Sequence, residues 1–189
     1  MRTALFLPLL LSCGLLAACN TADTPAADAT PNAAPKAAAK ENARALSSAC
    51  QIFSNDDIRA HFGIDAATEL KVDEGGGAFP SCSYEWGTDL VVRTIRAGGQ
   101  EIQVRDPAKL MLVVVRGVGP EAFEASTSVY KDAQDIPGIG EQARWGTAMS
   151  QLTFLSGSNL VHINVKADSD PETNRQKAIE LAQGALRKL

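Results

Sequence analysis

Between Asn20 and Ala45 the chain contains no Val, Ile, Leu or aromatic residue. Such a stretch of Ala, Pro, Thr, Asp and Asn buries too little apolar surface to offset its ordering entropy, so it reads as a disordered linker. Any core must therefore come from residues 46–189, enough for one domain that hides roughly two thirds of its unfolded surface. As a flexible tether, residues 19–45 would reach roughly 30 Å.

The residues before the linker carry a second pattern. Arg2 precedes an apolar run from Ala4 to Leu16 that is broken by Pro8, Ser12, Cys13 and Gly14. That run falls short of the roughly 20 apolar residues a membrane-spanning helix needs and reads as a secretory signal over residues 1–18. Its end, Leu16-Ala17-Ala18-Cys19, resembles the lipobox of bacterial lipoprotein signals. The resemblance implies cleavage before Cys19 and lipidation of its thiol, and two or more acyl chains hold a protein stably on a membrane. Asn20 after the cysteine resembles an outer-membrane sorting signal, which places the expected location on the periplasmic face of the outer membrane in preference to the inner membrane if the cell is Gram-negative.

Charge and cysteine usage fit export. The full chain has 18 basic and 22 acidic residues; loss of Arg2 with the signal leaves 17 against 22, a net charge of −5. With no basic cluster, nucleic acid is not an expected partner. Of the four cysteines, Cys13 leaves with the signal and Cys19 takes the lipid, so Cys50 and Cys82 remain. In an oxidising compartment an even pair predicts a disulfide; a redox pair or metal ligands would lack a Cys-x-x-Cys and have only His61 and His162 as imidazole partners.

Hydrophobic periodicity predicts an α+β domain in the order helix, strands, helix, strands, helix: an antiparallel sheet with helices packed on it. A first helix spans Ser54 to His61, with Ser54 as cap, Asp57 three residues on, and Gly63 as stop. Strands are expected at Thr68–Asp73, Ser81–Trp86, Leu90–Ile95 and Lys109–Arg116. Leu110 to Val115 is apolar throughout and is expected to be covered on both faces. A helix over Pro120 to about Lys131, a turn at Pro137-Gly138-Ile139-Gly140, and strands at Gln142–Trp145, Ser150–Leu155 and Asn159–Lys166 follow. The closing helix is capped by Asp170 with Pro171 in its first position. Trp86-Gly87-Thr88 and Trp145-Gly146-Thr147 match, which raises a weak internal duplication that three residues alone do not establish.

The domain resembles a family of uncharacterised envelope lipoprotein domains best known from actinobacteria. The likeness rests on Cys50 before a short helix ending at Gly63, on Cys82-Ser83-Tyr84-Glu85-Trp86, and on Ile136-Pro137-Gly138-Ile139-Gly140 followed by Ala143 and Trp145. It implies a Cys50–Cys82 disulfide and an α+β domain without an agreed activity.

No catalytic set emerges. Gly138-x-Gly140-x-x-Ala143 fits a dinucleotide pattern in letters, but it lacks the preceding buried strand and the following helix, so it reads as a turn. His61 and His162 show no metal-ligand spacing, and no Gly-x-Ser-x-Gly elbow exists. The expectation is a non-enzymatic protein without cofactor or metal. Phe79, Tyr84, Trp86 and Trp145 are the candidate ligand contacts, each weighed against use in the core, and Gly75 to Phe79 is a candidate mobile lip. Two functions are expected from these features: a module that binds an envelope protein or cell-wall component, or a carrier or sensor of a small apolar ligand held between sheet and helices.

Overall fold

The structure, a computed structural model, describes residues 48–189. The expected signal and the expected linker, with Cys19, lie outside the described residues. Eleven elements follow in order: a 3-10 turn Ala49–Gln51, then α1 Asn55–Phe62, β1 Leu70–Gly75, β2 Ser81–Ala97, β3 Gln100–Arg116, α2 Pro120–Thr127, β4 Ala133–Asp135, β5 Gln142–Gly146, β6 Gln151–Ser156, β7 Asn159–Lys166 and α3 Pro171–Ala185. The expected α+β order and the antiparallel sheet are both present. All seven strands form one sheet, β1-β2-β3-β7-β6-β5-β4.

Local chemistry explains the helix ends. The Ser54 hydroxyl accepts from the Asp57 N–H, and the Asp57 carboxylate accepts from the Ser54 N–H, a complete capping box. Gly63 closes α1 at φ 65°, where a side chain is disfavoured. At α3 the Asp170 carboxylate accepts from the N–H groups of Glu172 and Thr173, with Pro171 at the first position as expected.

Strand alternation sorts the sheet into two faces. Cys82, Tyr84 and Trp86 of β2 share a face with Leu110, Leu112 and Val114 of β3, and register extends it to Val161, Ile163 and Val165 of β7, Leu152 and Phe154 of β6, and Trp145 of β5. Helices α1 and α3 cover this face through Ile58, Ala178, Leu181, Ala182 and Ala185, making the main core. Helix α2 lies on the other face, where Phe123 packs on Leu155 and Leu160. The Cys50–Cys82 disulfide ties the 3-10 turn to β2, with Cα atoms 5.0 Å apart.

The structure departs from expectation where breakers were read as ends. Ser81–Trp86 and Leu90–Ile95 are one strand, bent by a register shift between Trp86 and Val91. Pro107 lies opposite that shift, where the ladder is already interrupted and a missing N–H costs little. Strand β3 therefore runs back to Gln100 instead of starting at Lys109. Leu110–Val115 is not covered on both faces: Leu110, Leu112 and Val114 are buried, while Met111 is 39 % exposed. Helix α2 stops at Thr127, four residues short of Lys131, and Tyr130 turns its ring onto the backbone of Gly146. The polar strand β4 was not expected.

The two Trp-Gly-Thr triplets have different roles. Gly87 sits in the bulge at φ 65° with the Leu90 side chain folded over it, whereas Gly146 is small because the Tyr130 ring lies against it. The strand order is compatible with two related halves, but α1 and α2 cover opposite faces.

Candidate functional site

The bulge in β2 and Pro107 in β3 carry this hairpin past the sheet. Strand β1 pairs with β2 only as far as Trp86, and β7 pairs with β3 only from Lys109 onward. Residues 91–97 and 100–106 thus form a two-stranded ribbon roughly 20 Å long. Arg93 pairs with Asp106 and Arg96 with Glu101 across it, and Ile95 faces Ile102 near its tip.

A cleft of ≈ 660 Å³ opens at the foot of this ribbon, within the range of small-ligand sites. Val91, Val92 and Arg93 supply one wall, the Thr147–Ser150 turn another, and Asp168, Ser169, Pro171 and Asn174 a third. Lys109 and Lys166, directly opposite each other in the β3–β7 register, also line it.

The walls are held in place by hydrogen bonds between backbone groups and side chains. The Val92 N–H donates to Ser169 Oγ at 2.9 Å, fastening the ribbon to the segment before α3. Asn174, buried, accepts from the N–H groups of Ala167 and Asp168 and donates to the Asp168 carbonyl, which satisfies its amide. On the other wall the Ala148 N–H donates to Asp132 at 2.9 Å, and Asn164 Nδ2 donates to the Met149 carbonyl. Walls tied in this way have less freedom to lose when a ligand binds.

Ser150 in that wall has φ 53°, the one positive value at a non-glycine among the described residues. A left-handed conformation costs an L-residue roughly 1–2 kcal/mol. Ser150→Gly is therefore expected to stabilise the domain by up to about 1 kcal/mol, after the added chain entropy of glycine is subtracted. A lower urea midpoint in this variant would show that the side chain itself holds the turn.

The sequence candidates are placed differently. Trp145 and Tyr84 are 1 % exposed and Trp86 is 6 % exposed, all three in the main core. The Tyr84 hydroxyl donates to the Phe53 carbonyl at 2.9 Å, and burial pushes its pKa up to about 12. Trp86 packs its ring on Phe62 and reaches the wall of a small cleft of ≈ 180 Å³ beside Glu69 and Lys71. Phe79 stands 59 % exposed in the β1–β2 turn. These four side chains do not converge on one cavity.

The two histidines lie in separate settings. His61 Nε2 meets the Lys177 carbonyl at 3.2 Å. His162 belongs to a closed polar cluster: its Nδ1 lies 2.8 Å from Thr153 Oγ1, which lies 2.6 Å from the Tyr130 hydroxyl, and Gln151 Nε2 donates to that hydroxyl at 2.7 Å. The cluster fastens the segment after α2 to β6. Among the described residues no group of three His, Cys, Asp or Glu is placed to hold a metal. The glycine pattern at 138–143 forms the β4–β5 connection and leads into a strand; it borders a shallow cleft of ≈ 310 Å³ where Arg144 is held by Asp135 and Glu124.

Burial lowers the pKa of both histidines, with the Lys177 charge adding to the effect at His61. A depressed folded value means the unfolded chain binds protons more readily, so stability is full above about pH 6.5 and is lost as the pH falls toward the folded values. The urea midpoint is expected to drop between pH 7.5 and 5.5. The drop should shrink in a His61→Gln/His162→Gln variant, and a midpoint flat across this range in the parent chain would contradict the assignment.

No protein-family model matches the chain, and no curated protein or solved structure matches it either. Among the described residues no helix is long and apolar enough to cross a membrane.

Proposed function

We propose that this chain is a cell-envelope lipoprotein, anchored through Cys19, whose folded domain is a non-enzymatic binding module for an envelope protein or a cell-wall component. The observation that carries the reading is the cleft walled by the β2–β3 ribbon. Support for the anchor comes from the signal pattern ending Leu16-Ala17-Ala18-Cys19 and from the disulfide, which suits an oxidising compartment. The linker then sets the reach of the module, and in a Gram-negative cell the proposed location is the periplasmic face of the outer membrane in preference to the inner membrane. A carrier or sensor of a small apolar ligand would draw its support from a buried pocket lined by Trp86 or Trp145. Their packing in the core supports that alternative less than the open cleft supports partner binding.

A photo-crosslinking residue placed at Ala148, exposed on the cleft wall, tests the reading in living cells; the same residue at Gln176 on the outer surface of α3 is the control. A discrete adduct from position 148 that is lost when Cys19→Ser releases the chain is the expected result. The same adduct pattern from both positions, or none from 148, would overturn the assignment of the cleft as the binding surface.

A further inference from the structure

We infer that the cleft recognises a carboxylate, seated between Lys109 and Lys166. This rests on the reading of the cleft as the binding surface and names the chemistry it would take.

The inference begins with strand register. Glu85, Lys109 and Lys166 stand directly opposite one another on β2, β3 and β7, forming one cross-strand row on the sheet face that α1 and α3 leave open. Like charges directly opposite on neighbouring strands repel, and here two ammonium groups share one carboxylate. Lys109 Nζ takes it, at 3.1 Å from Glu85 Oε2. Lys166 is left without an ion-pair or hydrogen-bond partner for its side chain among the described residues. In a chain with net charge −4 and acids in excess, a cross-strand lysine without an acidic partner at the edge of this cleft stands out.

The other charges of the cleft do not fill this vacancy. Asp106 is engaged by Arg93, and one oxygen of Asp168 accepts the Asp170 N–H at 2.8 Å. The lining holds Arg93, Lys109 and Lys166 against Asp106 and Asp168, and with Glu85 beside Lys109 the charges balance; Lys166 is the cation of the lining that has no carboxylate of its own. Thr147 and Ser150, on the facing wall, have hydroxyls with no protein partner among the described residues and can donate to a ligand oxygen. Val91, Pro107, Ala148 and Pro171 supply the apolar remainder. A carboxylate entering here gains a charge-assisted hydrogen bond from Lys166 and relieves the repulsion between the two lysines.

Carboxylates of peptides and of acidic sugars share this chemistry. The full chain in detergent, its lysines carrying ¹³C-dimethyl labels that preserve charge, can be titrated with N-acetylglutamate beside its neutral dimethyl ester and with glucuronate beside its neutral methyl ester. Signals are assigned with Lys109→Gln and Lys166→Gln. Saturable shifts confined to Lys109 and Lys166, produced by the acids and not the esters, are the expected result; the tighter of the two probes identifies the source. Lys166→Gln should weaken binding by about tenfold, as loss of one charge-assisted hydrogen bond predicts, while Lys71→Gln beside the small Trp86 cleft should not. Non-saturating shifts at all lysines, or equal response to acid and ester, would overturn the carboxylate site. Should that happen while position 148 still cross-links to a partner, the binding module stands with a different ligand chemistry. A lost cross-link with retained carboxylate binding would instead overturn the macromolecular partner.

Discussion

Replacing Trp145 with Ala is expected to cost about 3–5 kcal/mol, enough to unfold a large share of a domain whose total stability is of order 5–15 kcal/mol. The ring lies on β5, between partners on β4 and β6, and is 1 % exposed in the main core. Truncation removes the contacts of the largest buried side chain and leaves a cavity that Leu152 and its neighbours fill only in part. The urea midpoint of the variant measures the loss. A cost below about 1 kcal/mol, small for any buried aromatic, would mean that the indole faces a groove and is available to a ligand.

Removing the disulfide should have an effect of similar size. Cys50 and Cys82 are separated by 32 positions, and closing a loop of that length stabilises a fold by roughly 3–4 kcal/mol in the chain-entropy model. The bond also fixes the segment that opens the described domain. Ala49, Ile52 and Phe53, next to Cys50, are all buried in the main core. A Cys50→Ala/Cys82→Ala chain should therefore show a lower urea midpoint, and reduction of the parent chain with dithiothreitol should lower its midpoint by a comparable amount. An unchanged midpoint in both cases would show that the native packing holds this segment without the bond.

Features set by local chemistry could be read from the sequence. The Ser54–Asp57 capping box, the Asp170-Pro171 start of α3 and the alternation of Val161, Ile163 and Val165 each depend on residues within a few positions of one another. The Cys50–Cys82 pair was legible because the expected export and the cysteine count left one simple pairing. The long hairpin was not, because Gly87 and Pro107 resemble strand ends and become tolerable only when they face each other across a bulge. The polar β4 gives no periodic signal, since it lies at the sheet edge with all three residues exposed.

The cleft was less legible still. Its walls come from three segments far apart in the chain, and its charge pattern exists only because β3 pairs with β7 in a register that sets Lys109 against Lys166. Each lysine alone reads as an ordinary polar residue at a strand end. The aromatic residues gave the stronger local signal, and folding places three of the four in the core.

Intact-mass spectrometry of the chain extracted from bacterial membranes tests the central claim most directly. The account predicts a chain beginning at Cys19, carrying the added mass of a diacylglycerol or of three acyl chains, and two protons light for the Cys50–Cys82 bond. A chain that retains residues 1–18, or one cut elsewhere with an unmodified Cys19, would contradict the lipoprotein reading and with it the proposed membrane-tethered module.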